Sequence, residues 1–186
     1  ANPTGPLTVA HGRGAIVGDT ISRILEWNGF KVDREYYFNN AGRQMRILGE
    51  SVKSRYLNNC GIENIFPEDG YQGEYINDIA KSFQKKYNKD YVNEKSVDVF
   101  KKYAEDKIFE NIKNTLDTLD INFDNYFNED DLYKNKDIEK TILDLDSKGL
   151  IYKKDKATWF AGTKVDRPVD RVLIKSTGEP TYRLPD

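Results

Sequence analysis

The sequence predicts an α/β fold that carries a helical insertion and ends in short antiparallel strands, and three observations predict it. Residues 1–59 read in succession as loop, helix, strand, turn and helix. Residues 71–119 hold two amphipathic stripes with no strand between them, and from residue 150 onward brief β-prone runs alternate with turn-formers. A chain of 186 residues accommodates one substantial domain, or a core with an inserted lobe.

The opening segment, residues 1–7, is too rich in Pro, Gly and Asn for a helix or an interior strand. From Gly12 the pattern turns helical: Val17, Ile21, Ile24, Leu25 and Asn28 share a stripe, and Gly29 is placed to stop it. Phe30 to Phe38, with Val32, Tyr36 and Tyr37, reads as a strand, its tyrosines more in keeping with core than with ligand contact. Asn39 to Gly42 is turn chemistry, and Met45, Leu48, Val52 and Tyr56 then recur at helical spacing as far as Asn58. Next come the stripes Ile76, Ile79, Phe83, Tyr87 and Val97, Phe100, Ala104, Ile108, Ile112, Leu116, Leu119. After the acidic residues 128–137, a helix with Ile138, Ile142 and Leu145 stops at Gly149. Leu150–Lys153, Thr158–Ala161 and Val172–Lys175 complete the pattern as short strands. The division expected is therefore 1–59 as the first part of the core, 60–149 as a mostly helical insertion, and 150–186 as a hairpin-rich return.

Hydrophobic residues make up 38% of the chain, aromatic residues 12% and charged residues 32%, enough apolar matter for a packed interior beneath a well-hydrated surface. No apolar run approaches the roughly 20 residues that cross a bilayer, and no signal-like start is present, so the expectation is a cytoplasmic protein that does not enter membranes. A single cysteine, Cys60, and a single histidine, His11, exclude an intrachain disulfide and a Cys/His zinc cluster. Residues 1–59 hold eight Lys/Arg against five Asp/Glu, an ordinary imbalance that by itself identifies no partner.

The stretch richest in chemistry is residues 1–19, where a loop dominated by backbone feeds a helix start with His11 at the junction. Unpaired amides and the positive end of the dipole make such a place attractive to phosphate. A histidine near a helix start is more often a cap or a surface residue. A dinucleotide-type glycine loop is set aside, because after Gly12 and Gly14 the third glycine is due at Val17 and falls at Gly18.

Residues 1–11, ANPTGPLTVAH, resemble the signature A-N-P-T-G-P-L-H-x-G-H of arginyl-tRNA synthetases, class I members of the aminoacyl-tRNA synthetases. Arg34 to Gln44, REYYFNNAGRQ, is similar to that family's R-E-Y-Y-x-N-D-A-G-x-Q, and residues 170–186 to its D-R-V-L-V-R-S-D-G-T-P-T-Y-L-L-P-D. The resemblance implies a Rossmann-like class I synthetase catalytic fold with a partial parallel sheet. It also implies ATP, with Mg2+ carried on its phosphates, held by Pro3, Thr4, Gly5, Pro6, Thr8, Ala10, His11 and Gly12, with His11 and Thr8 at the reacting phosphates. Thr8 and Ala10 stand where the pattern has histidine and glycine; threonine keeps a hydroxyl donor, and the alanine methyl crowds a close approach. Arginine is implied to meet Asn2, Asn40, Gln44, Tyr182 and Asp186, Asn40 standing where the pattern has an acid. A carboxylate with an aromatic ring suits the planar, always charged guanidinium.

The reaction so implied is arginine–tRNA ligation: ATP and arginine give arginyl-adenylate and pyrophosphate, and tRNA(Arg) takes the arginyl group. The family's K-M-S-K loop is not in the sequence, whose one methionine is Met45. The chain is therefore expected to be a piece of a longer enzyme, inactive as a ligase on its own. The alternative is a synthetase-like paralogue that binds nucleotide or tRNA without ligating; a nucleotidyltransferase that makes adenylates without tRNA is disfavoured by the arginine-specific ending.

Overall fold

A computed structural model that describes residues 2–185 divides the chain into two compact units, which meet between Asn128 and Glu129. In the first unit, α1 (Val9–Trp27) is followed by β1 (Glu35–Phe38), α2 (Arg43–Asn59), α3 (Glu74–Tyr87), α4 (Asp98–Thr118) and β2 (Asn125–Asn128). α1 begins earlier than the apolar pattern from Gly12 suggests, because Thr8 caps it; Gly29, at φ +84°, ends it, letting the Phe30 N–H reach the Leu25 carbonyl.

β1 and β2 pair in parallel, Glu35 opposite Asn125 and Phe38 opposite Asn128, with α2, α3 and α4 in the connection between them. Parallel partners need such a long crossover, and the partial parallel sheet expected from the sequence is present. β1 is shorter than the run Phe30–Phe38 because only its last four residues find a partner. β2 was not expected at all: Asn125-Tyr126-Phe127-Asn128 begins and ends in Asn, lies between Asp124 and Glu129, and gains its extended state by pairing. Its rings then pack across the ladder, Tyr37 stacking on Phe127 at 5.6 Å and Tyr36 lying 5.8 Å from Tyr126.

The core of this unit is built on α2, which packs against both α3 and α4. Leu48, Val52 and Tyr56 of α2, Ile76, Ala80 and Phe83 of α3, and Phe100, Ala104 and Ile112 of α4 are wholly buried. Tyr56, Phe83 and Phe100 form one aromatic nucleus with centroids 4.7 to 5.4 Å apart. The Tyr56 hydroxyl is not stranded there: it donates to the Asn88 carbonyl and accepts from the Tyr91 N–H. By contrast, none of α1 is buried: the stripe forms at the predicted spacing, yet Val17, Ile21 and Ile24 each keep half or more of their surface, at 51%, 53% and 56%. Ion pairs attach α1 to its neighbours instead, Arg34 gripping Glu26 with two nitrogens and Arg23 reaching the Asp120 carbonyl and carboxylate.

The second unit comprises α5 (Glu129–Lys134), α6 (Asp137–Ser147) and the antiparallel sheet β3 (Ile151–Lys154), β4 (Ala157–Phe160), β5 (Arg171–Ile174). The three strands expected after residue 150 are all found, each displaced by one residue. Asp155 and Lys156, both left-handed at φ 52° and 60°, make the two-residue turn between β3 and β4. Ile138, Leu173 and Leu184 form its small core. No helix among the described residues is long and apolar enough to cross a membrane.

Truncating the aromatic nucleus tests this description. Phe83→Ala should destabilise the first unit by about 3–5 kcal/mol, whereas Leu143→Ala, on a side chain 68% exposed, should stay within about 0.5 kcal/mol of wild type, both read from urea unfolding midpoints.

Candidate functional site

The opening loop is fixed to the helical core rather than loose. The ring of Pro3 is fully buried, Leu7 packs against the main cluster, and the Tyr75 hydroxyl of α3 donates to the Thr4 carbonyl at 2.6 Å. Gly5 faces the same ring, and a Cβ there would come within 3.1 Å of it, so a larger residue would press the Tyr75 ring aside by a few tenths of an ångström. Burial, and then the neighbouring Tyr71, pushes the Tyr75 phenol above its ordinary pKa, which keeps it a hydrogen-bond donor. Thr4 and Gly5 are half-buried, while Pro6, Thr8, Ala10 and His11 remain exposed to a ligand.

Thr8 and His11 form a capping box at the start of α1. The Thr8 side-chain oxygen accepts from the His11 N–H, and His11 Nδ1 accepts from the Thr8 N–H at 3.1 Å, with the Thr8 hydroxyl at the same distance. A ring nitrogen that accepts carries no proton, so neutral His11 keeps its proton on Nε2. The imidazole is thereby held with an N–H donor on its other nitrogen, at a helix start whose Val9 and Ala10 amides have no partner within the helix. The arrangement suits a phosphate: a dipole end, spare amides and an imidazole donor.

The amino-acid-side residues come together in part. Asn2 Nδ2 donates to Gln44 Oε1 at 2.5 Å, joining the opening loop to the first turn of α2 across 42 positions. Asn40, four residues before Gln44, is 7% exposed, and its Nδ2 donates to Glu105 Oε1 of α4 at 3.1 Å. Tyr75 and Glu105 are the residues that sequence reasoning missed. Tyr75 adjoins an amphipathic stripe and Glu105 is one of many acids on a charged helix, and nothing in their spacing signals a partner so distant in the chain. Tyr182 belongs to the second unit; it is 67% exposed, and its hydroxyl accepts from the Arg183 guanidinium, which also lies over its ring. Asp186 lies outside the described residues.

A cleft of about 270 Å3 opens beside Pro6, floored by Ile79 and Ile108, walled by Tyr75 and edged by Asp78 and Lys107. No three His, Cys, Asp or Glu among the described residues gather so as to hold a metal ion. A divalent cation would fit here as a passenger on phosphate oxygens, for which the helix start offers donors and no competing carboxylate cage.

A histidine-bearing loop at a helix N-terminus, joined by a polar contact to the first turn of the helix after a parallel strand, fits the class I synthetase catalytic domain that the motifs resemble. Residues 2–186 match the family model for class I tRNA synthetases of the arginine type, catalytic domain, and the chain belongs to that family. It is 56% identical to an arginine–tRNA ligase of Desulfotalea psychrophila over 186 residues and 51% identical to one of Chlorobium phaeobacteroides over 191, covering all of this chain and 34% of each relative. Among solved structures, a Campylobacter jejuni protein put forward as an arginyl-tRNA synthetase superposes with a TM-score of 0.87 at 35% identity, over 100% of this chain and 41% of that one. An arginyl-tRNA synthetase of Plasmodium falciparum, at 22% identity and TM-score 0.60, covers 99% of this chain and 32% of that one and shares the fold. The chain thus spans about a third of the length of the curated relatives it matches.

The Tyr75 anchor can be tested directly. Tyr75→Phe removes the hydroxyl and strands the Thr4 carbonyl; it should cost about 1 kcal/mol in thermal unfolding and speed hydrogen exchange at the Gly5 and Leu7 amides while leaving the middle of α2 protected.

Proposed function

We propose that this chain is the ATP-binding and arginine-binding part of an arginine–tRNA ligase. The observation that carries the reading is the Asn2–Gln44 hydrogen bond, because it unites two stretches whose resemblances point independently to the same amino acid. In the proposed reaction an oxygen of the arginine carboxylate attacks the α-phosphorus of ATP as the bond to the bridging oxygen breaks. Arginyl-adenylate forms and pyrophosphate leaves with its Mg2+. The 3'-terminal ribose of tRNA(Arg) then attacks the carbonyl carbon and AMP departs.

The protein's share of such a transfer is orientation and charge stabilisation. The His11 Nε2–H and the Val9 and Ala10 amides donate to phosphate oxygens, Thr8 sets the ring, and Pro3, Thr4, Gly5, Pro6 and Gly12 shape the loop against the nucleotide. Asn2 and Gln44 orient the amino and carboxylate end of arginine, Asn40 supports them, and Tyr182 with Asp186 receives the guanidinium. Residues 1–59 and 150–186 are assigned to the catalytic core, and 60–149 to a connective insertion whose last strand joins the core sheet beside β1. A cytoplasmic location goes with this role.

The test is arginine-dependent exchange of pyrophosphate into ATP by the full-length protein that contains this sequence. His11→Ala should lower the rate by about 100-fold, mainly in kcat, because a donor to developing charge is lost. Gln44→Ala should raise the KM for arginine more than that for ATP. The 186-residue chain alone should show negligible exchange; robust exchange by that chain, or none by the full-length protein, would overturn the reading.

A further inference from the structure

We propose that Glu105 is a positioning residue for amino-acid binding: its buried carboxylate holds the Asn40 amide and thereby fixes the turn that delivers Gln44 to Asn2. This rests on the reading of Asn2 and Gln44 as arginine-orienting residues. Glu105 projects from the middle of α4, 65 positions from Asn40, and is 8% exposed. A carboxylate so deeply placed must be hydrogen-bonded or paired to stay charged. One oxygen has two partners, Asn40 Nδ2 at 3.1 Å and Lys102 Nζ at 3.3 Å, and the lysine is shared with Asp106 at 2.9 Å and is itself 65% exposed. The amide of residue 40 is therefore the buried partner that this carboxylate possesses in the chain's interior.

The consequence for the site is geometric. Asn40 is tied at its backbone as well, its N–H donating to the Phe38 carbonyl, so the end of β1 and the side chain of α4 hold it from two directions. Two residues later Gly42, at φ +82°, redirects the chain into α2, and no side chain caps the helix there. The direction in which α2 starts, and with it the place of Gln44, is thus set just upstream, where the buried Phe38 ring and the Asn40–Glu105 bond tie the turn to the interior. The polarity of that bond is also fixed: asparagine donates, whereas an ionised aspartate at position 40 can only accept, which would set two carboxylates against each other within hydrogen-bonding distance.

The pair predicts a reversal of polarity. In the full-length protein, Asn40→Asp should raise the KM for arginine about tenfold or more while the KM for ATP and kcat stay within about twofold, and should lower the unfolding temperature. Adding Glu105→Gln, which supplies the donor from the other side, should bring the arginine KM back to within about threefold of wild type and restore most of the unfolding temperature. Glu105→Gln alone, able to accept from Asn40 through its amide oxygen, should change either value little. If the double variant is no better than Asn40→Asp alone, the two residues are not coupled and the proposal fails. If unfolding temperatures show the coupling but the arginine KM never moves, the pair is purely structural and the positioning role fails. Absence of arginine-dependent exchange in the wild type would instead sink the functional reading, with the unfolding cycle still reporting on the pair.

Discussion

The packing of α2 against α3 and α4 is the constraint on which the candidate site depends. Each of the three helices contributes to the shared aromatic and aliphatic core, and each also extends one polar group toward the loops that would do the chemistry. Gln44 of α2 meets Asn2, Tyr75 of α3 meets Thr4, and Glu105 of α4 meets Asn40. A loop made of Pro, Gly and Asn has little cohesion of its own, so its geometry must come from outside. Here it comes from side chains whose own positions are fixed by the burial of neighbouring residues on the same helices, which is why precise placement near the surface is compatible with an exposed first helix.

A second, electrostatic node joins the pieces that the apolar core leaves apart. The Arg34 guanidinium grips Glu26 and approaches Asp19 at 3.4 Å, while its backbone N–H donates to the Asp124 carboxylate and its carbonyl accepts from the Asp124 and Asn125 amides. Hydrogen bonding to Arg34 holds the Glu26 carboxyl below its usual range and raises the arginine, so the contact is a charged one under any ordinary condition. Since α1 buries none of its residues fully and only Ala15 among its described residues packs against the main core, the angle at which it presents the capping box rests largely on these partly hydrated contacts. Such pairs are individually weak, and their value here lies in direction more than in free energy.

Much of the fold was legible because periodicity reports burial. The stripes through Val52, Phe83 and Ile112 mark buried faces, and every helix drawn from such a stripe is present. Where periodicity misleads, the reason is physical. Val17, Ile21 and Ile24 repeat as a core stripe does and yet remain half-exposed, since a sequence shows which face is apolar but not what covers it. β2 was invisible because two aromatic residues set between asparagines, with Asp124 and Glu129 on either side, are too short a strand signal until a partner supplies the other half of the ladder. The start of α1 was misplaced because the apolar pattern begins after its first turn, although Thr8 followed by His11 three residues later holds the cap in plain view.

The candidate site was legible on different grounds. Asn2, Gln44 and His11 were found through resemblance to a family's motifs, and the structure adds what resemblance omits, the means by which they are held. The box between Thr8 and His11 illustrates the difference. Read as a motif, Thr8 is a histidine replaced; read as geometry, its backbone N–H and hydroxyl occupy Nδ1 and leave the ring with its donor outward. A ring nitrogen that accepts in the cap leaves the other free to donate, an arrangement that would suit a phosphate. Asn40 makes the parallel case on the amino-acid side. A side chain expected to touch ligand is found donating to a buried carboxylate, and under the positioning role proposed for Glu105 it would act on the substrate through the backbone of the turn.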